Sequence, residues 1–80
     1  MGTYEYYAEK LRQMGCDVQH GRNGVLAQLP NLKKVTLYYL RDMAELRYTV
    51  RTRFGATICD GFIENGEDFF RRVSYEIAHR

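Results

Sequence analysis

Residues 45–54, ELRYTVRTRF, place Leu46, Tyr48, Val50 and Phe54 on even positions and Arg47, Arg51 and Arg53 on odd ones. A period of two means successive side chains leave on opposite sides of an extended backbone, so this segment reads as a strand with one apolar and one guanidinium face. A strand that is polar on one side belongs to an antiparallel sheet with one face toward the core, and this requirement governs the reading of the rest of the chain.

Upstream, KKVTLYYL at residues 33–40 alternates Val35, Leu37 and Tyr39 with Lys34, Thr36 and Tyr38, and its β-branched and aromatic residues favour a second strand. A helical stripe competes here, because Leu32, Val35, Tyr39, Met43, Leu46 and Val50 recur at spacings of three and four. Two lysines would then stand at the positive end of the helix dipole, and Val, Thr and Tyr would crowd its flanks. Residues 32–53 are therefore read as two strands joined by a turn at residues 41–44. CDVQH, GRNG and VLAQL, residues 16–29, read as a hairpin about Asn23-Gly24, ended by Pro30-Asn31. ATICD at residues 56–60, after a stop at Gly55, supplies a further short strand.

Both ends are helical in pattern. Thr3 can cap a helix whose stripe is Tyr4, Tyr7, Leu11 and Met14, with Gly15 closing it. Asn65 can cap a second helix with Asp68 returning the bond; Phe69, Val73 and Ile77 line one face with Phe70 beside them. Arg71, Arg72 and Glu76 are placed on the wet side, and His79 and Arg80 near the negative end of the dipole. The expected fold class is α+β: an N-terminal helix, an antiparallel sheet of three to five strands and a C-terminal helix, in α-β-β-β-β-α order, as one domain over residues 1–80.

A chain of 80 residues hides only about 60% of its unfolded surface, so the core is small. With 45% hydrophobic residues, seven Tyr and four Phe, it is nonetheless too apolar for a disordered chain. Its apolar runs are too short to span a bilayer, and no signal pattern opens it, so the expectation is a soluble, cytoplasmic protein without membrane contact. Two cysteines, Cys16 and Cys59, fit a reducing compartment better than a disulfide framework.

Chemistry is sparse. Cys16, His20, Cys59 and His79 lack the close pairs of a zinc site, and Cys59 has Asp60 but no histidine beside it in sequence, so neither a metal nor a thiol nucleophile is expected. Capping accounts for the carboxylates Glu64, Glu67 and Asp68. The glycines form no phosphate loop. No catalysis and no cofactor are expected. What rises above this background is charge: Arg22, Lys33, Lys34, Arg41, Arg47, Arg51 and Arg53 against Asp42 and Glu45 give residues 20–55 a net +5, while both ends are mildly acidic.

Helix, three antiparallel strands, helix is also the order of double-stranded RNA-binding domains and of the small Alu-binding proteins of the signal recognition particle, which this chain resembles in topology. Where the RNA-binding domains open their second helix with a lysine-rich phosphate clamp, this chain has ENGED, residues 64–68, and that acidity opposes phosphate. Small size, mixed charge and lack of a catalytic motif are similar to the inhibitors that phages make against host defence systems, anti-CRISPR proteins among them. The leading expectation is a non-enzymatic module that binds a protein through Tyr6, Lys34, Tyr38, Arg47, Arg51 and Arg53, since Tyr and Arg most often carry interface energy. The alternative is nucleic-acid binding by the same basic sheet face, with Tyr38 stacking a base. The oligomeric state is left open.

Overall fold

The computed structural model describes residues 3–21, 24–40 and 45–79. The elements are α1 (Thr3–Gln13), β1 (Asp17–His20), β2 (Gly24–Gln28), β3 (Lys34–Leu40), β4 (Glu45–Arg51), β5 (Thr57–Phe62) and α2 (Gly66–Ala78). The five strands form one antiparallel sheet in sequential order, so the helix–sheet–helix order expected from the sequence is the order observed. Residues 32–53 do not form one helix, because β3 and β4 pair along their length from Lys34↔Arg51 to Leu40↔Glu45. The expected Asn23-Gly24 turn and the turn at 41–44 fall at least partly outside the described residues, as do Arg41 and Arg80.

Period-two patterning sorts the strands into two faces. Val18, Ala27, Val35, Val50 and Cys59 form one row across all five strands on the inner face, with Val25, Leu37, Tyr48 and Gly61 in the next. Tyr7, Ala8 and Leu11 of α1 and Phe69 and Val73 of α2 are buried in the same cluster as Val25, Ala27, Val35, Leu37 and Val50, so both helices cover one face of the sheet. Tyr7 is the hinge of this layer, edge-on to Phe69 with ring centroids 5.7 Å apart and 5.4 Å from Phe70. α1 closes with Cys16 N–H donating to Leu11 O and Gly15 at φ 91°, the left-handed closure that the glycine suggested.

α2 starts where the sequence places it: Asn65 Oδ1 accepts from Glu67 N–H at 2.8 Å. Asp68 does not return the bond; its carboxylate pairs with Arg71 at 3.4 Å. The far end differs from expectation. Glu76, assigned to the wet side, is only 3% exposed. Its carboxylate is held by Lys33 at 3.0 Å and by Arg72 at 3.2 Å. The helical stripe of α2 is wider than its apolar residues, and a buried carboxylate is tolerated because two cations meet it.

Lys33 reaches that position through an unusual loop. Leu29 and Lys33 bracket a three-residue turn in which Leu32 N–H donates to Leu29 O, Leu29 N–H donates to Lys33 O, and Leu32 takes φ 73°. The β4–β5 connection repeats this geometry over Thr52–Ala56 with Gly55 at φ 92°. Glycine is the ordinary occupant of such a site, and a leucine there carries about 1–2 kcal/mol of strain. The strained turn aims Asn31 and Lys33 at the C-terminus of α2. Asn31 Nδ2 donates to Glu76 O at 2.7 Å, and Lys33 Nζ donates to Glu76 O at 3.1 Å and to His79 O. The negative end of the helix is thus met by a loop 45 residues away in sequence.

Candidate functional site: the uncovered face of the sheet

With both helices on one side, the outer face carries three cross-strand rows among the residues whose side chains are described. Gly24, Tyr38, Arg47 and Phe62 form the first, Gln19, Leu26, Thr36, Thr49 and Asp60 the second, and Asp17, Gln28, Lys34 and Arg51 the third. Leu26 and Phe62 remain 38% and 48% exposed on this face, an apolar area that no part of the described chain covers. Gly24, opposite Tyr38, has no side chain because a Cβ there would collide with Leu37 O.

Of the residues expected to form a binding surface, Tyr38, Arg47, Lys34 and Arg51 are brought together. Tyr38 lies directly opposite Arg47, and Lys34 directly opposite Arg51. The Arg47 guanidinium extends over the neighbouring strand and lies 5.3 Å from the Phe62 ring centroid, while its Nε is buried without a hydrogen-bond acceptor. A guanidinium over a ring keeps its donors for another group. Thr49 lies at the centre of the face, only 7% exposed, with the side chains around it as its cover.

Two expected members are elsewhere. β4 ends at Arg51, and Arg53 is in the β4–β5 turn, where its guanidinium stacks 4.7 Å from Phe54. Thr52 ends the alternation by turning the backbone, its Oγ1 accepting from Ala56 N–H at 3.1 Å. Tyr6 belongs to the helix layer, beside Phe70 with centroids 6.2 Å apart, in a groove between α1 and α2. Lys33, part of the basic stretch of residues 20–55, is directed to the helix side, where it forms a salt bridge with Glu76. Sequence reasoning missed Leu26 and Phe62; the signal for Leu26 was its odd-one-out parity between Val25 and Ala27.

A second feature lies at one end of the molecule, where the β2–β3 and β4–β5 turns and the last turn of α2 enclose a hollow of about 690 Å³ lined by Pro30, Leu32, Arg53, Phe54 and Ile77 among others. Phe54 at its lip is 83% exposed.

The thiols are both free. Cys16 is buried, which pushes its thiol above the ordinary value and keeps it protonated. Burial, with Cys59 and Asp60 nearby, likewise raises the Tyr48 phenol on the inner face. Among the described residues no three His, Cys, Asp or Glu side chains converge, and no helix is long and apolar enough to cross a membrane. No protein-family model matches this chain, and neither does any curated protein or solved structure.

Proposed function

We propose that this chain is a non-enzymatic protein-binding module whose contact surface is the uncovered face of the sheet. The observation that carries the reading is the asymmetric layering: a five-stranded sheet with two helices on one side, and on the other side Leu26, Tyr38 and Phe62 interleaved with Lys34, Arg47 and Arg51. Apolar side chains at the centre of a patch supply contact area, and aromatic and arginine side chains are those that concentrate binding energy.

The partner surface this face fits offers apolar side chains to Leu26 and Phe62 and carboxylates to Lys34, Arg47 and Arg51. Directly opposed Lys34 and Arg51 repel each other, and an incoming carboxylate relieves that repulsion. A nucleic acid fits less well, because Asp17 and Asp60 stand at the two edges of the same face and would meet its phosphates. Within this reading, the chain's size and mixed charge suggest a host protein complex of the kind phage inhibitors engage.

The test is a nuclease-treated pull-down from lysate of the native source with three baits. The wild type is expected to retain a stoichiometric protein that a Leu26→Asp/Arg47→Glu variant loses and a Tyr6→Ala variant, altered in the helix layer, keeps. Loss in the Tyr6 variant alone would move the surface to the helices. Recovery of nucleic acid, with affinity dropping steeply between about 50 and 200 mM salt, would replace a protein partner by phosphate binding.

A further inference from the structure

The outer strand β5 carries a second surface, its free edge. Ile63 N–H donates to Leu46 O at 2.8 Å, which fixes the phase of the β4–β5 ladder. In antiparallel pairing, residues alternately direct both backbone groups at one neighbour and then away from it. Cys59 and Gly61, opposite Val50 and Tyr48, therefore direct their N–H and C=O at β4, and Asp60 and Phe62 direct theirs outward. An outer strand in this state is a template for another strand. Ile58, Asp60 and Phe62 are all exposed, so their side chains leave the approach open.

We infer that β5 pairs with β5 of a second copy of this chain, antiparallel about a two-fold axis through Gly61, to give a continuous ten-strand sheet of two five-strand halves. The charges select both the occupant and the register. On the outer face the Arg47 guanidinium lies over Phe62 and is carried by that ring toward the free edge. A strand added there must place a carboxylate opposite Phe62, to meet the guanidinium, and must not place one opposite Asp60. β5 itself has this pattern. With the axis at Gly61, Asp60 faces Phe62 of the partner subunit and lies beside Arg47 of the partner subunit, and the same contact is repeated in reverse.

An isologous contact requires this self-complementarity. Neither Asp60 nor Arg47 has an ion pair within its own chain among the described residues. Moving the axis to Asp60 would oppose the two carboxylates, and moving it to Cys59 would leave Asp60 against Ile58 of the partner subunit and run the ladder into the bulge at Val50/Arg51. Gly61 at the axis directs no side chain toward the helix face, which favours close approach of the two backbones there. In the pair, Asp60 and Phe62 exchange both backbone bonds with the neighbouring copy. The pair also joins two uncovered faces into one surface, so it adds to the proposed function without depending on it.

A seam this short is smaller than a standard interface, so dissociation in the range of about 1 μM to 1 mM follows. The experiment is sedimentation equilibrium of the full chain across that range, with amide hydrogen exchange at both ends. The wild type is expected to pass from 9.4 kDa to twice that mass as concentration rises, with the Asp60 and Phe62 amides slowing in parallel. Asp60→Lys should weaken the pair by about tenfold or more, since each attraction becomes a repulsion, while the diluted variant keeps the wild-type circular dichroism. The charge swap Asp60→Arg/Arg47→Asp should restore pairing, a rescue that a merely misfolded strand would not show. A wild type that stays monomeric throughout, a dimer whose β5 amides exchange as fast as in dilute solution, or a swap that fails to rescue would each overturn the inference.

Discussion

Replacing Arg51 by glutamate should make this protein more stable while weakening its proposed binding surface. Lys34 and Arg51 are direct partners in the β3–β4 ladder, and both are exposed. Like charges directly opposed across strands cost about 0.2–1 kcal/mol, and opposite charges gain a similar amount. Arg51→Glu converts one into the other. Because water screens both side chains, the swing stays near the lower end of the combined range, about 0.5–1 kcal/mol. Glutamate's poorer fit in a strand takes back a few tenths of that.

In a domain of 80 residues a change of 1 kcal/mol moves Tm by about 4–8 °C, so a rise of about 1–6 °C is expected. The assay is thermal unfolding followed by circular dichroism at low and at 1 M salt, with Arg51→Gln as the control that removes repulsion without adding attraction. The Gln variant should fall between wild type and Glu, and the differences should shrink at 1 M salt, where screening acts within about 3 Å. Lys34, directly opposite, should hold the introduced carboxylate's folded pKa below its unfolded value. The carboxylate's contribution is therefore full above about pH 4.3, the unfolded value, and is lost as pH falls through the folded one. A Glu variant that melts at or below the wild-type temperature, or whose gain survives high salt, would refute the electrostatic account of this face.

Two further changes test the loop that holds α2. Lys33→Met leaves the buried Glu76 carboxylate with Arg72 alone and removes the lysine donor from the last carbonyls of the helix; a loss of about 2–4 kcal/mol in urea unfolding is expected, largely recovered when Glu76→Leu is added. The two turns of like geometry should respond in opposite directions: Leu32→Gly is expected to leave stability unchanged or raise it by up to about 1 kcal/mol, whereas Gly55→Leu lowers it by about 1–2 kcal/mol, both read from denaturant midpoints.

Much of this fold is written in local pattern. Alternation in residues 34–40 and 45–51 places Val35, Leu37, Tyr48 and Val50 on one side and Lys34, Tyr38, Arg47 and Arg51 on the other, because extended backbone fixes that geometry whatever the strand pairs with. Asn65 before α2 and Gly15 after α1 act within one turn of chain, so their roles were legible too. The pairing of Tyr38 with Arg47 follows from the register of strands that are neighbours in sequence.

What the sequence could not decide is what meets what at long range. Lys33 and Lys34 are adjacent and chemically identical, yet one neutralises a buried glutamate on the helix side and the other lies on the uncovered face. Glu76 reads as a surface residue until a loop 43 residues distant brings a cation to it. Arg53 keeps the parity of a strand residue but lies within the turn that Thr52 begins, and Tyr6 is separated from the arginines by the thickness of the sheet. Spacing determines which side of its own element a residue occupies; only packing of the elements determines which side is covered, because burial is a property of two surfaces and a sequence pattern describes one.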